Sequence, residues 1–150
     1  MKKAIYILIQ CTWGILQTVL GLFVFLAHIK DRHYFYHGAV VTEWAAPSSV
    51  SLGMFVFVTK TPYFYEKLKD EYTIEELSRR LLVHEYGHTV QSMILGPFYL
   101  LLVGLPSVIW SHRYCRRTPI YRSRGVAYTD RYPEHGADRL GEYATGEKPH

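Results

Sequence analysis

The feature that most constrains the fold of this chain is a pair of histidines four residues apart on one helix. If both bind a metal ion, the fold must bring a further ligand to them from elsewhere in the chain. Residues 84–88 read His-Glu-Tyr-Gly-His. In a helix, side chains at i and i+4 lie roughly 5–6 Å apart on one face, so both imidazoles can reach one metal ion. This is the spacing of two zinc ligands, and it places Glu85 where a carboxylate can take a proton from metal-bound water.

The flanking residues predict that this segment is a single helix. Thr73 and Glu76 form a capping box at its start, and Gly96-Pro97 is a stop signal at its end. Between these signals, seven residues at spacings of three and four fall on one face of the helix and form a stripe: Ile74, Leu77, Leu81, His84, His88, Gln91 and Leu95. Both imidazoles therefore face the interior, and Gly87 predicts close packing against the helix backbone.

A catalytic zinc usually has three protein ligands and one open position, so a third ligand is expected elsewhere. Residues 133–141 read Pro-Glu-His-Gly-Ala-Asp-Arg-Leu-Gly, which predicts a short helix with Pro133 in its first turn and Gly141 at its end. Glu134 and Asp138 are four apart on that helix. One carboxylate can bind the ion while the other accepts the free N–H of a ligating imidazole.

The two motifs together resemble those of the gluzincin metallopeptidases. The Ala137-Asp138-x-x-Gly141 detail is similar to the membrane-embedded branch that includes the CAAX prenyl proteases and bacterial heat-shock membrane proteases. The resemblance implies one zinc ion held by His84, His88 and Glu134, with Glu85 as general base and Asp138 orienting a ligand. The string from His84 to Ser107 also resembles small bacterial membrane proteins.

An uncharged N-terminal stretch predicts a membrane anchor. From Ala4 to Ala27 there are 24 residues without a charge, enough at 1.5 Å per residue to cover a hydrocarbon core of roughly 30 Å. We expect one retained transmembrane helix within residues 1–29, with a cleaved export signal as the alternative. Its polar residues should face protein rather than lipid: Gln10, Thr12, Gln17 and Thr18.

A second apolar segment, Pro97–Trp110, has 14 residues, which is short for a membrane span. A single crossing here would separate His84 from Glu134 on opposite sides of a membrane. We therefore expect a re-entrant or interfacial hairpin, or a buried core segment, that turns near residues 104–106. Residues 30–150 would then form one metallopeptidase-like domain, and the fold class is α+β and membrane-anchored.

Two apolar runs before the histidine helix predict a β-hairpin. Ala39–Trp44 and Val50–Val58 are rich in valine and phenylalanine, with Pro47-Ser48-Ser49 between them. In zinc peptidases of the resembled class, an edge strand beside the metal helix holds extended substrate by main-chain pairing, and Ser51–Val58 is the candidate here. The alternative is a hairpin that only covers the core.

The expected partners are a peptide or protein substrate and a lipid bilayer. The acid-free run of arginines after Trp110 favours contact with anionic headgroups: Arg113, Arg116, Arg117, Arg122 and Arg124. A net charge of only +4 and the absence of a recognised module argue against nucleic acid. The expected location is a bacterial inner membrane. Lys2 and Lys3 favour a cytoplasmic N-terminus, whereas Lys30 and the arginine run favour a cytoplasmic domain.

Two other functions stay open on the sequence alone. His33 and His37 form a second His-x-x-x-His box, and with the first box they are similar to the histidine boxes of membrane di-iron oxidases. That chemistry would need four more ligands. The other alternative is a non-enzymatic membrane protein whose metal site is structural or degenerate. For a peptidase, four side chains are candidates to stabilise the oxyanion: Tyr128, Tyr132, His135 and Arg139.

Overall fold

The fold combines helices with one mixed four-stranded sheet, which confirms the α+β class. The computed structural model describes residues 3–62 and 65–149. Helices are α1 Lys3–Thr12, α2 Ile15–Ala27, α3 Tyr65–Leu68, α4 Ile74–Leu95, α5 Leu105–Ser123 and α6 Glu134–Thr145. Strands are β1 Arg32–Tyr36, β2 Ala39–Trp44, β3 Val50–Leu52 and β4 Phe55–Thr59.

The predicted histidine helix is confirmed as α4. The Thr73 side chain accepts a hydrogen bond from the Glu76 backbone N–H at 3.1 Å, as a helix N-cap does. At the other end Gly96 has a φ of 54°, a conformation that glycine adopts without strain. The histidine stripe faces the interior because apolar residues before it, Leu77 and Leu81, are buried.

Helix α6 crosses α4 at close range, as Gly87 predicts. A Cβ at Gly87 would overlap the Ala137 carbonyl oxygen, and one at Gly141 would overlap the Val83 carbonyl oxygen. The prediction that α6 ends at Gly141 is wrong. The helix continues to Thr145 and ends at Gly146, whose φ is 75°. Gly141 is present because the two backbones touch there, and a helix end is not the reason.

The sheet has the order β1-β2-β4-β3. The predicted hairpin between residues 39–44 and 50–58 is wrong, because β2 pairs with β4 in parallel. The segment 50–58 is itself a hairpin of β3 and β4, and it reverses at Gly53, where φ is 59° and the backbone packs on Thr18. This reversal places β3 at the sheet edge beside α4, and it places β4 between β2 and β3.

The prediction of a single N-terminal helix is also wrong, whereas association with a membrane stays a prediction. The uncharged stretch forms α1 and α2, which meet at an angle of 98°. Within the described residues no individual helix is long and apolar enough to cross a membrane, and only this bent pair reaches the length and composition of a span. Lys2, one of the predicted flanking charges, lies outside the described residues.

Hydrogen bonds to α4 account for the bend. Gln10 donates to the Thr89 carbonyl at 2.9 Å, and Gln17 donates to the Ser92 hydroxyl at 2.7 Å. Both glutamines are fully buried, and Thr18 is buried with them. The prediction that polar side chains face protein is confirmed for these three. It is wrong for Thr12, which is exposed and bonds to the Leu8 carbonyl of its own helix.

The segment 97–110 does not turn at residues 104–106, which corrects the predicted hairpin. The chain passes through a short 3₁₀ turn, Gly96–Phe98, and a π-helical turn, Leu100–Gly104, directly into α5. Pro106 is the second residue of α5 and directly follows the π-helical turn. Helix α5 is itself kinked at Arg117, two residues before Pro119.

The close crossing predicts that Gly87→Ala destabilises the protein strongly. The added methyl would have to displace the α6 backbone, so we expect a loss of at least about 2 kcal/mol in the free energy of unfolding. Gly104→Ala is the matched control, because the nearest atom to its Cβ would lie at 3.7 Å. Chemical denaturation should show that control within about 1 kcal/mol of the parent. Equal stability of the two variants would contradict the crossing.

Candidate metal centre

Three buried side chains from two helices converge at one point. His84 and His88 project from α4, and Glu134 projects from the first turn of α6. One ligand atom from each lies within 4.8 Å of the others. Glu134 Oε2 is 3.1 Å from His84 Nε2 and 3.3 Å from His88 Nε2. Two imidazoles and one carboxylate around a common point could hold a divalent metal ion.

Hydrogen bonds on the far side of each ring fix its orientation. His84 Nδ1 is 2.7 Å from Asp138 Oδ1, and His88 Nδ1 is 2.7 Å from Gln91 Oε1. Gln91 donates through Nε2 to the Pro133 carbonyl, so its Oε1 must accept from His88. Both rings therefore carry a proton on Nδ1 and can direct an Nε2 lone pair at a metal. The predicted contact of Asp138 with one of the two imidazoles is present.

Two residues that the sequence analysis did not assign complete these contacts. In the sequence Gln91 belongs to the apolar stripe, and its i,i+3 position relative to His88 is the signal that could have predicted their contact. Ser107 of α5 donates to Glu134 Oε1 at 2.6 Å and holds the carboxylate oxygen that the imidazoles leave free. No spacing rule connects Ser107 to Glu134, because only the tertiary fold brings α5 over the site.

Glu85 is buried beside the two histidines and lines the same cavity. Burial raises the pKa of its carboxyl, while His88 and His84 oppose that rise. A carboxylate with a raised pKa accepts a proton more readily, which is the property a general base needs. The position of Glu85 is thus compatible with its predicted role.

The three converging groups are strongly coupled through charge. Burial alone would raise the pKa of the Glu134 carboxyl, but hydrogen bonds from His84 and His88 lower it well below its usual range. Burial alone would lower the pKa of His84, and its hydrogen bonds to Asp138 and Glu134 raise it instead to about 10. Without a metal, His84 therefore carries a proton that an incoming cation must displace.

A cavity of about 930 Å³ opens onto this cluster. Its walls include the edge strand β3 and residues of α5, together with the buried Tyr99. Of the four candidates for an oxyanion-stabilising residue, Tyr128 lines the cavity. Tyr132 is 63% exposed and donates to the Leu102 carbonyl. The remaining two candidates, His135 and Arg139, are exposed on α6.

The second histidine box does not join the cluster. His33 bonds through Nδ1 to the Thr42 hydroxyl at 3.0 Å, and His37 packs its ring on Tyr86 at 5.6 Å between centroids. Over residues 3–62 and 65–149, the group that could hold a metal consists of the α4 histidines and Glu134. The di-iron hypothesis requires paired boxes around one site, so this arrangement speaks against it.

Comparison of the chain with protein-family models, with curated proteins and with solved structures finds no match. The chemistry of the site is therefore the basis on which a function can be argued.

The geometry predicts that substitutions at three positions of α6 reduce the affinity for Zn²⁺ by different amounts. Glu134→Ala removes a direct donor and should abolish stoichiometric binding of Zn²⁺. Asp138→Ala removes only the partner of His84 Nδ1 and should weaken binding about 10–100-fold. His135→Ala is the control and should bind as the parent does, since this side chain is exposed. Titration calorimetry on metal-stripped protein measures all three; a loss at His135 equal to that at Glu134 would refute the assigned ligand set.

Metal binding should also depend on pH with a defined sign. The raised pKa of His84 means that Zn²⁺ binding releases its proton, so apparent affinity should rise with pH up to about 10 and fall on acidification. We expect about a tenfold change per pH unit for each proton displaced. Calorimetry in two buffers of different ionisation enthalpy counts these protons. An affinity that stays constant between about pH 6 and about pH 8 would contradict the coupling.

Proposed function

We propose that this protein is a zinc-dependent peptidase that hydrolyses peptide bonds at the His84, His88 and Glu134 cluster. One observation carries the proposal: a buried His₂Glu donor set shares a large cavity with the unligated carboxylate of Glu85. Three protein donors leave one position open in a tetrahedral zinc site, as catalytic sites do, whereas structural sites are closed by four.

The residues around the site supply the remaining chemistry. Bound zinc would polarise the scissile carbonyl and acidify water. Glu85 takes a proton from the water as its oxygen adds to the carbonyl carbon, and it returns that proton to the amine nitrogen as the C–N bond breaks. The Tyr128 hydroxyl is the favoured donor to the carbonyl oxygen, because the other three candidates do not line the cavity.

The edge strand gives the site a means of holding an extended chain. β3, Val50–Leu52, is at the end of the sheet order and lines the cavity. The predicted substrate strand Ser51–Val58 is thereby reduced to β3 and its flanking residues, since β4 is paired on both sides. A peptide that adds to β3 would place its backbone across the opening of the metal cluster.

A non-enzymatic role for the metal is the competing proposal, and the cavity distinguishes the two. A metal that only stabilises the fold needs no open position and no free carboxylate beside it. Glu85 would contribute nothing to such a site. Its burial is nevertheless unfavourable, because a buried carboxylate loses its contact with water. The position of this carboxylate beside the cluster favours hydrolysis.

Glu85→Gln should keep zinc and lose hydrolysis. The amide matches the carboxylate in size but cannot accept a proton, so we expect unchanged Zn²⁺ affinity and a fall in kcat of at least about 100-fold. Zinc content by mass spectrometry and cleavage of an unstructured protein such as casein measure the two effects separately.

Glu142→Gln is the matched control, because this carboxylate is exposed on α6. Cleavage by Glu85→Gln at the rate of the parent would exclude Glu85 as the base. Cleavage by protein whose metal has been removed with a chelator would exclude the zinc mechanism altogether.

A further inference from the structure

The outward faces of α1 and α2 form a large apolar surface. Five of its side chains are each at least half exposed: Leu8, Trp13, Leu16, Phe23 and Leu26. No charged residue occurs from Ala4 to Ala27. Because Gln10, Gln17 and Thr18 bond inward, the outward face lacks their polar groups as well. Soluble monomers rarely expose a continuous apolar surface of this kind, so it requires an occupant.

A second apolar surface adjoins the first. It runs from the end of α4 into α5, and five side chains on it are at least half exposed: Ile94, Phe98, Leu101, Leu105 and Val108. The two surfaces meet where Trp13 packs on Gly96, since a Cβ at Gly96 would overlap the indole. Gln17 also donates to the Gly96 carbonyl at 3.0 Å. The bend between α1 and α2 therefore lies beside the start of the second surface.

The dimensions of the helix pair suit one leaflet rather than a full bilayer. With 10 and 13 residues, α1 and α2 measure about 15 Å and about 20 Å, against a hydrocarbon core of about 30 Å. Straightening the 98° bend into one span would break the buried hydrogen bonds of Gln10 and Gln17 to α4. The pair is therefore held bent by the domain on which it packs.

Exposed cations mark where headgroups would lie. Lys30 follows α2, and after Val108 helix α5 carries exposed arginines, among them Arg113, Arg116 and Arg117. No acidic residue occurs from Gly96 to Arg124. Apolar side chains followed along the same helix by unopposed cations match the order of acyl chains and anionic phosphates in a leaflet.

We propose that the two surfaces insert together into one leaflet of an anionic membrane without crossing it. Lys3 and α6 then lie on the same side of the bilayer. Ser107, which bonds to Glu134, directly precedes the exposed Val108, so the three metal-binding side chains lie close to the inserted face. This inference concerns the docking surface and does not depend on hydrolysis.

Vesicle flotation tests the surface. Purified protein transferred from detergent should float with vesicles of phosphatidylcholine and phosphatidylglycerol, and less with phosphatidylcholine alone. Phe23→Glu and Leu101→Glu, at positions 66% and 63% exposed, should weaken partitioning by about tenfold or more. Tyr143→Glu, at a position 90% exposed on α6, is the control and should bind as the parent does. Circular dichroism verifies that each variant is folded.

Impermeant thiol labelling tests the topology. In a background with Cys11 and Cys115 replaced by serine, single cysteines at Lys3 and Glu142 should react from the same side of sealed membranes. Reaction from opposite sides would overturn the proposal in favour of a crossing helix pair. Absence of flotation by the folded parent would also overturn it, as would a detergent-free oligomer in which a second copy covers the apolar surface.

Discussion

The contact between the backbones of α4 and α6 is the interaction on which the rest of the structure depends. Gly87 and Gly141 let carbonyl oxygens of the opposite helix approach where any Cβ would collide with them. This close approach of the two helices lets the Glu134 carboxylate reach between the two imidazoles. The candidate metal site thus depends on the absence of side chains at Gly87 and Gly141 as well as on the three side chains that converge there.

Helix α4 is held by hydrogen bonds from several other elements of the fold. One side of α4 carries the two histidines. On another side, the Thr89 carbonyl and the Ser92 hydroxyl accept hydrogen bonds from the glutamines of α1 and α2. Hydrogen bonds in such a buried setting cost much when one partner is lost, since the remaining group stays desolvated. The apolar helix pair therefore acts as a brace for the metal helix, whatever covers its outer face.

Sequence patterns predicted α4 well, because local chemistry determines a helix with a threonine cap at Thr73 and a glycine stop at Gly96. The two histidines were predictable for the same reason, since i,i+4 spacing survives in any α-helix. Spacing alone did not decide between Glu134 and Asp138 as the third ligand, and the family resemblance implied Glu134. The order of the sheet was not, because parallel pairing of β2 with β4 depends on contacts distant in sequence. The sequence predicts a helix end at Gly141, because no local signal shows that another helix packs on this residue.

The N-terminal stretch shows how composition and tertiary structure diverge. Length and hydropathy predict one membrane-spanning helix. Gln10 and Gln17 instead form hydrogen bonds to α4, and the chain forms two helices with a bend between them. Ser107 illustrates the opposite case, a site residue without a sequence signal. Its hydroxyl reaches Glu134 only because the chain enters α5 directly and continues over the cluster.

X-ray absorption spectroscopy of the zinc-loaded protein tests the central claim most directly. The account predicts one zinc per chain, with two imidazole nitrogens at about 2.0–2.1 Å and carboxylate oxygen at about 2.0–2.2 Å, the remaining position being filled by water. Loss of the oxygen contribution in Glu134→Ala would identify its source. Zinc that binds with sulfur neighbours, or a folded protein that takes up no zinc at neutral pH, would contradict the account.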